Sequence, residues 1–318
     1  MPEQMIVVDG LRHMYRKGKR QKYALDGLSF TVARGEVFGL LGPNGAGKTT
    51  TIRILTTLLK PLSGRVLIAG HDVVAHPLEA RRRLAAVLQE SAVETLLTVW
   101  DNLLLYGYLH GYSRKEVERR AAPLIAMLEL ESYLKERAHG LSGGYKRRLQ
   151  VAKALMVETP ILFLDEATTG MDPLVKRRVI AALREQVAGG RTVVLTTQLL
   201  DEAEALCDRM VLLHEGRALA AGNLAELRAL SRKMFRIQVS FSDANGEALA
   251  ALRELAPRSL EERDGEIELV VEGTEDEWIR NMARISERWP LSHLEMRGAN
   301  LEQIFVELYG AAGPKEER

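Results

Sequence analysis

The chain has 318 residues, 46% of them hydrophobic and 27% charged. That is enough for about two domains with buried cores, and it excludes global disorder. Lys and Arg number 44 against 43 Asp and Glu, so a net charge of +1 argues against a nucleic-acid-coating protein, and no nucleic-acid partner is expected.

The single cysteine, Cys207, cannot close an intrachain disulfide, which points to a reducing compartment. The N-terminal MPEQMIVVDG lacks a basic segment followed by an apolar one, so no secretory signal is expected. The longest run free of Asp, Glu, Lys and Arg is residues 102–113, only 12 long. A spanning helix needs about 20 apolar residues, so a membrane role is expected to come through a partner.

Short apolar runs predict strands at Ile6–Val8, Val37–Leu41, Ala85–Leu88, Ile161–Leu164 and Val193–Thr196. Longer periodic stretches lie between them, which is the pattern of parallel strands joined by helices. Residues 12–22 hold six basic side chains (Arg12, Arg16, Lys17, Lys19, Arg20, Lys22) and no acid. This run reads either as a solvated loop or as a basic rim beside an anionic ligand.

After the second strand comes Gly42-Pro-Asn44-Gly45-Ala46-Gly47-Lys48-Thr49, a G-x-x-x-x-G-K-[ST] loop, and then a helix-forming Thr50–Leu59. Its glycines let backbone N–H groups converge on phosphate oxygens. The helix N-terminus adds its dipole. Lys48 is expected to reach the β- and γ-phosphates and Thr49 to offer its hydroxyl to Mg²⁺.

Residues 97–137 read as a helical insertion with a break near His110–Ser113. Leu141-Ser142-Gly143-Gly144 then opens a further helix, its N-terminus capped by Ser142 and left bare for an anion by two glycines. The apolar Ile161–Leu164 ends in Asp165-Glu166, carboxylates at the strand end where α/β sheets hold ligands. Asp165 is expected to bind Mg²⁺ and Glu166 to polarise the attacking water. Cys207, in a helical stretch 201–209, reads as a packed thiol. The seven histidines show no ligand spacing.

Residues 230–318 carry 12 basic and 18 acidic side chains, a balance of −6 against +7 for the rest. This asymmetry supports dividing the chain into domains 1–228 and 229–318. The tail reads as strand Met234–Phe241, helix Ala248–Leu255, strand Glu266–Val271, a helix opened by the capping-box pair Thr274 and Glu277, strand Leu291–Arg297, and a helix capped by Asn300 and ended by Gly310. That order is close to a small α+β, ferredoxin-like domain. Trp278 and Trp289 are expected in its core.

Taken together, GPNGAGKTT at 42–50, Gln89 after a strand, LSGGY at 141–145, ILFLDE at 161–166 and TGMD at 169–172 resemble the ATP-binding subunit of an ATP-binding-cassette transporter. The resemblance covers about residues 4–228. It is nearest to the exporters whose separate membrane subunits are of the ABC-2 type, and the tail, with NLEQIFVELYG, resembles their accessory domain.

The resemblance implies an α/β P-loop NTPase cassette with a mixed sheet and a helical insertion. It implies an ATPase, with ATP and Mg²⁺ as its cofactors. It also implies an ABC-2-type permease as partner, a location on the inner face of the cell membrane, and a head-to-tail dimer. Each ATP would lie between the Lys48 loop, Thr50 included, of one copy and Ser142–Gly144 of the other. The loop and the Ser-Gly-Gly helix each occur once, which itself asks for a second cassette. Gln89 would touch Mg²⁺ or water and couple to the permease, and Asp172 would lie at the dimer seam. Tyr15 would stack on adenine, with Tyr23 as its rival.

Three positions depart from the family pattern. Gln198 stands where a histidine usually contacts the γ-phosphate, Ala167 where proline is usual, and Tyr145 where glutamine or methionine is common. Glutamine can donate an N–H but carries no proton or charge, so slow rather than absent hydrolysis is expected. Two rivals remain at this point. One is a cassette ATPase acting on ribosomes or DNA, whose relatives usually carry two cassettes or a long coiled-coil insertion. The other is a nucleotide-holding regulatory subunit.

Overall fold

A computed structural model describes residues 3–17, 20–89, 92–230, 234–242, 246–263, 266–298 and 300–311. Lys19, part of the basic run, lies outside them. The chain divides into two compact units, Met1–Ala221 and Gly222–Arg318.

The first unit opens with two 14-residue strands, β1 (Gln4–Lys17) and β2 (Arg20–Ala33), paired antiparallel as one ribbon. Only Ile6–Val8 was legible as strand, because the basic distal half carries no apolar run. There follow β3 (Val37–Leu41), α1 (Lys48–Leu55), β4 (Ser63–Ile68), β5 (His71–Asp72), α2 (Pro77–Arg81) and β6 (Leu84–Val87). Strands β4 and β5 join the ribbon in a four-stranded sheet of order β2-β1-β4-β5.

The predicted insertion forms α3 (Val99–Leu109) and α4 (Arg114–Met127), broken at residues 110–113. Ser113 and Glu116 close a reciprocal capping box that fixes the start of α4. The two ends of the insertion are pinned together: Val99 N–H donates to Glu136 O, and Ala138 N–H donates to Leu97 O. Then come α5 (Gly143–Met156), β7 (Ile161–Asp165), α6 (Pro173–Ala188), β8 (Thr192–Thr197), α7 (Leu200–Leu206), β9 (Arg209–His214) and β10 (Arg217–Gly222).

The second sheet has the order β10-β9-β3-β8-β7-β6. The pairings β9–β3, β3–β8, β8–β7 and β7–β6 are all parallel. Every residue of β3, β7 and β8 is buried, as befits central strands of a parallel sheet covered on both faces. Ile6, Phe30, Phe38, Ile52, Phe163 and Val211 belong to one core fed by both sheets. Among the described residues no helix is long and apolar enough to cross a membrane.

Helix α7 stops at Leu206, so Cys207 follows the helix rather than lying in it. Its thiol is buried, and a Cβ added at Gly39 on β3 would come within 2.8 Å of the sulfur. Burial pushes this thiol far above the ordinary range. Only a thiolate is nucleophilic.

The second unit contains α8 (Leu224–Leu230), β11 (Met234–Phe241), α9 (Gly246–Glu254), β12 (Ser259–Arg263), β13 (Glu266–Glu272), α10 (Glu275–Arg288), β14 (Leu291–Gly298) and α11 (Leu301–Ala311). Its antiparallel sheet, order β12-β13-β11-β14, has the strand order of a ferredoxin-like βαββαβ fold. Strand β12, Ser-Leu-Glu-Glu-Arg, escapes a sequence reading because four of its five residues are polar. Thr274 sits at the N-cap of α10 but makes no side-chain cap bond. The reciprocal box forms instead at α11, between Asn300 and Gln303. Helix α11 runs through Gly310, so that glycine does not end it. Trp278 is buried with Ile237, Leu269 and Met282, and Trp289 packs against the same core.

Native protein exposed to a thiol-alkylating reagent at pH 8 should modify Cys207 at under a tenth of the rate seen in denaturant, with mass spectrometry as the readout.

Candidate nucleotide-binding site

The parallel sheet gathers the predicted residues by topology. The Gly42–Thr49 loop leaves the C-terminal end of β3, Gln89 follows β6, Asp165 and Glu166 end β7, and Gln198 follows β8. Strands β3, β8, β7 and β6 are consecutive neighbours, so four separate sequence segments emerge along one sheet edge.

A cavity of about 360 Å³ opens there, lined by Tyr15, Asn44, Gly45, Gly47, Lys48, Thr49, Thr50, Gln89 and Glu166, together with Lys22 and Ala24. Gly42 and Gly47 are obligatory in the loop. Both have positive φ, and an added Cβ would lie 2.3 Å from Leu213 O at Gly42 and 2.6 Å from Ala24 O at Gly47. Gly45 also has positive φ, but its Cβ would meet nothing within 4 Å. The loop is buttressed by Ala46, whose carbonyl accepts from Gly216 N–H. Gly47 caps α1 without a side chain, which leaves the first N–H groups of the helix unobstructed.

Lys48 is buried, and its ammonium donates to Gly42 O at 2.7 Å and Pro43 O at 3.1 Å. Burial holds it below the usual lysine range, while the charges of Glu166 and Asp165 pull the other way.

Asp165 is almost fully buried. One carboxylate oxygen accepts from the Thr196 hydroxyl, and the other, Oδ2, has no partner. An orphaned, buried carboxylate oxygen beside a phosphate loop fits a hard divalent cation or its water. Glu166 adopts φ 52, in the left-handed region that side-chain-bearing residues avoid. Its N–H is held by Thr196, from the carbonyl oxygen and the hydroxyl. Gln198 Nε2 donates to Glu166 Oε1 at 2.7 Å and to Asn44 Oδ1 at 2.9 Å. Its amide thus ties the carboxylate to the phosphate loop.

The ribbon register separates the two tyrosines. Tyr15 pairs with Lys22 and Tyr23 with Met14, so Tyr15 and Tyr23 point to opposite faces. Tyr15 lines the cavity, with its hydroxyl 3.5 Å from Thr50 Oγ1.

Ser142, Gly143, Gly144 and Asp172 do not line this cavity. They form a second group within the same unit. Ser142 caps α5 by accepting from Tyr145 N–H, and a Cβ at Gly144 would stand 3.0 Å from Gly170 O. Asp172 caps α6 through Val175 N–H, and that bond, with help from Arg148, holds its carboxyl below the ordinary range. Arg148 joins Asp172, Glu129 and Leu128 O, and lies over the Tyr145 ring. Tyr145 in turn packs on Tyr133, ring centroids 4.1 Å apart.

Residues the sequence reading missed are Thr196, Arg147 and Arg148. Thr196 is one of three threonines in β8, and nothing in the sequence distinguishes it from Thr192 and Thr197. Arg147 donates to Leu88 O beside Gln89, and the two arginines look alike within KRR, with nothing to show which way each turns.

A family model described as ABC transporter matches residues 25–169. The daunorubicin/doxorubicin resistance ATP-binding protein DrrA of Streptomyces peucetius is 37% identical over 317 residues, 97% of this chain and 93% of its own. Nod factor export ATP-binding protein I of Paraburkholderia xenovorans (strain LB400) is 39% identical over 314 residues, 98% of each chain. Among solved structures, an ATP-binding subunit of an ABC transporter superposes with TM-score 0.66 at 33% identity, covering 71% of this chain and 92% of that one. A dimeric ATP-binding cassette in a post-hydrolysis state with ADP and Pi gives TM-score 0.64 at 28% identity, over 69% and 99%.

The chain therefore belongs to the ABC transporter family. Within that family it is an ATP-binding subunit, an ATPase that energises transport.

The glycine geometry sets a ranking. Gly42→Ala and Gly47→Ala should abolish nucleotide binding, because backbone oxygens must move. Gly45→Ala should cost only about 1–2 kcal/mol for its left-handed backbone and retain measurable affinity by calorimetry.

Proposed function

We propose that this subunit drives export through a separate membrane permease of the ABC-2 type, working as a dimer of two identical cassettes on the inner face of the cell membrane. The observation that carries this reading is the separation of two half-sites. The phosphate loop and Glu166 line one cavity, and Ser142–Gly144 stand outside it. A cassette that must be completed by the Ser-Gly-Gly turn of a second copy has that arrangement. The relatives named for drug resistance and for Nod factor export support export as the direction of transport. Residues 1–228 form the ATPase domain in this reading and 229–318 the accessory domain.

The N–H groups of residues 42–47, Lys48 and Thr50 hold the phosphates, and Tyr15 stacks on adenine. Thr49, Gln89 and Asp165 would hold Mg²⁺, with Asp165 Oδ2 free to do so. The chemistry the cation would supply there is neutralisation of phosphate charge. Glu166 orients the water whose oxygen attacks the γ-phosphorus as the bond to the ADP oxygen breaks. The departing proton passes toward the Glu166 carboxylate. Gln198 holds Glu166 in place and presents an N–H toward the γ-phosphate. Ser142, Gly143 and Gly144 of the second copy close over the nucleotide, and Asp172 lies at the seam.

Gln198 donates but cannot titrate, so turnover is slower than a histidine would allow. Closure and reopening of the dimer move the helical insertion and Gln89 against the permease, because each nucleotide state contacts the two conformations differently.

Two measurements test this. Glu166→Gln should lower steady-state ATPase activity about 10²- to 10⁴-fold while ATP binding persists and the dimer accumulates by light scattering. Gln198→His should raise the rate; a rate unchanged or lower would remove the slow-turnover reading. If no polytopic membrane protein accompanies the full chain from detergent extracts, the transport reading fails as well.

A further inference from the structure

The basic run of residues 12–22 is the one sequence feature that the site described above leaves unused, and the fold brings one member of it to the nucleotide. Lys22 sits directly opposite Tyr15 in the β1–β2 register, on the same face of the ribbon. Side chains so paired have Cβ atoms about 4.5–5.5 Å apart. Both line the cavity, as does Ala24 two residues further along the same face. His13 stands edge-on to Tyr15, ring centroids 4.9 Å apart, which braces the tyrosine beside the lysine.

The two lysines of the cavity differ in what they already hold. Lys48 is buried, with its ammonium bonded to two loop carbonyls. Lys22 is exposed and has no carboxylate partner among the described residues. The ribbon meets the cavity at Thr50, through the Tyr15 hydroxyl, whereas Glu166 meets it at Asn44 through Gln198. Lys22 therefore enters the cavity from the ribbon, beside Tyr15, rather than from the sheet edge that carries Glu166.

We propose that Lys22 is a nucleotide-binding residue whose ammonium, beside the Tyr15 ring, attracts the base-proximal phosphate shared by ATP and ADP. The proposal rests on reading the cavity as the nucleotide site. Because the contact involves no atom of the γ-phosphate, it strengthens ATP and ADP binding equally. Such uniform binding raises affinity without raising turnover. The charge is solvent-exposed, so the gain is small and screened by salt.

The experiment is calorimetric titration of the full chain with Mg-ATP and with Mg-ADP, at about 0.05 M and about 0.5 M salt. The variants are Lys22→Ala, Lys22→Glu and Lys22→Arg, with Lys48→Ala as a control on the site. Lys22→Ala should weaken both nucleotides by the same factor, about two- to fivefold at low salt. Lys22→Glu should weaken them further, Lys22→Arg should restore near-native affinity, and the differences should shrink at high salt. In steady-state assays Lys22→Ala should raise KM and leave kcat unchanged. A Lys22→Glu variant with native affinity, or a loss confined to ATP, overturns the proposal and leaves the nucleotide site standing. Native protein that binds neither nucleotide, or a Lys48→Ala variant that binds both normally, overturns the reading of the cavity itself.

Discussion

Parallel pairing of β7 with β8 and β6 is the constraint on which the site depends. Their residues are almost all buried, and apart from the threonines near the two ends of β8 and Asp165 at the end of β7 their side chains are apolar. Polar chemistry is thereby expelled to the strand ends, and parallel direction makes all those ends fall on one edge. The Thr196 hydroxyl from the adjacent strand donates to one oxygen of the almost fully buried Asp165 and so compensates part of its lost hydration. The same threonine steadies the strained backbone of Glu166. The carboxylates are thus fixed by backbone register rather than by flexible side-chain choice, the rigidity a phosphoryl-transfer site requires.

Much of this was legible in the sequence, for a physical reason. Strands buried on both faces are often written as unbroken apolar runs, and Val37–Leu41 and Ile161–Leu164 could hardly be read otherwise. The phosphate loop was legible because two of its glycines face backbone oxygens that forbid any Cβ. What escaped reading were elements specified by their partners. The distal half of β1 and β2 is charged and holds together through ribbon hydrogen bonds. Strand β12 has a single apolar residue, Leu260, and is held in place by pairing with β13. Strands β4, β5, β9 and β10 likewise went unnoticed. Caps were uneven: Asn300 closes its helix as expected, whereas Thr274 occupies the right place without using its hydroxyl.

The departures from the family pattern have structural counterparts. Gln198 bridges Asn44 and Glu166, so geometry survives the loss of an ionisable ring. Tyr145 lies between Tyr133 and the Arg148 guanidinium, which also grips Asp172. The Ser-Gly-Gly turn and the 169–172 segment are therefore linked through one cation, so a shift in either is felt by the other.

The lone sulfhydryl, sealed behind the central strand next to Gly39, leaves the molecule a blank canvas for site-directed labelling. A spin probe, fluorophore or cross-linker attached through a cysteine substituted on the surface would report from that position alone. Distances across an assembled pair could then be followed through the catalytic cycle in an otherwise unaltered background.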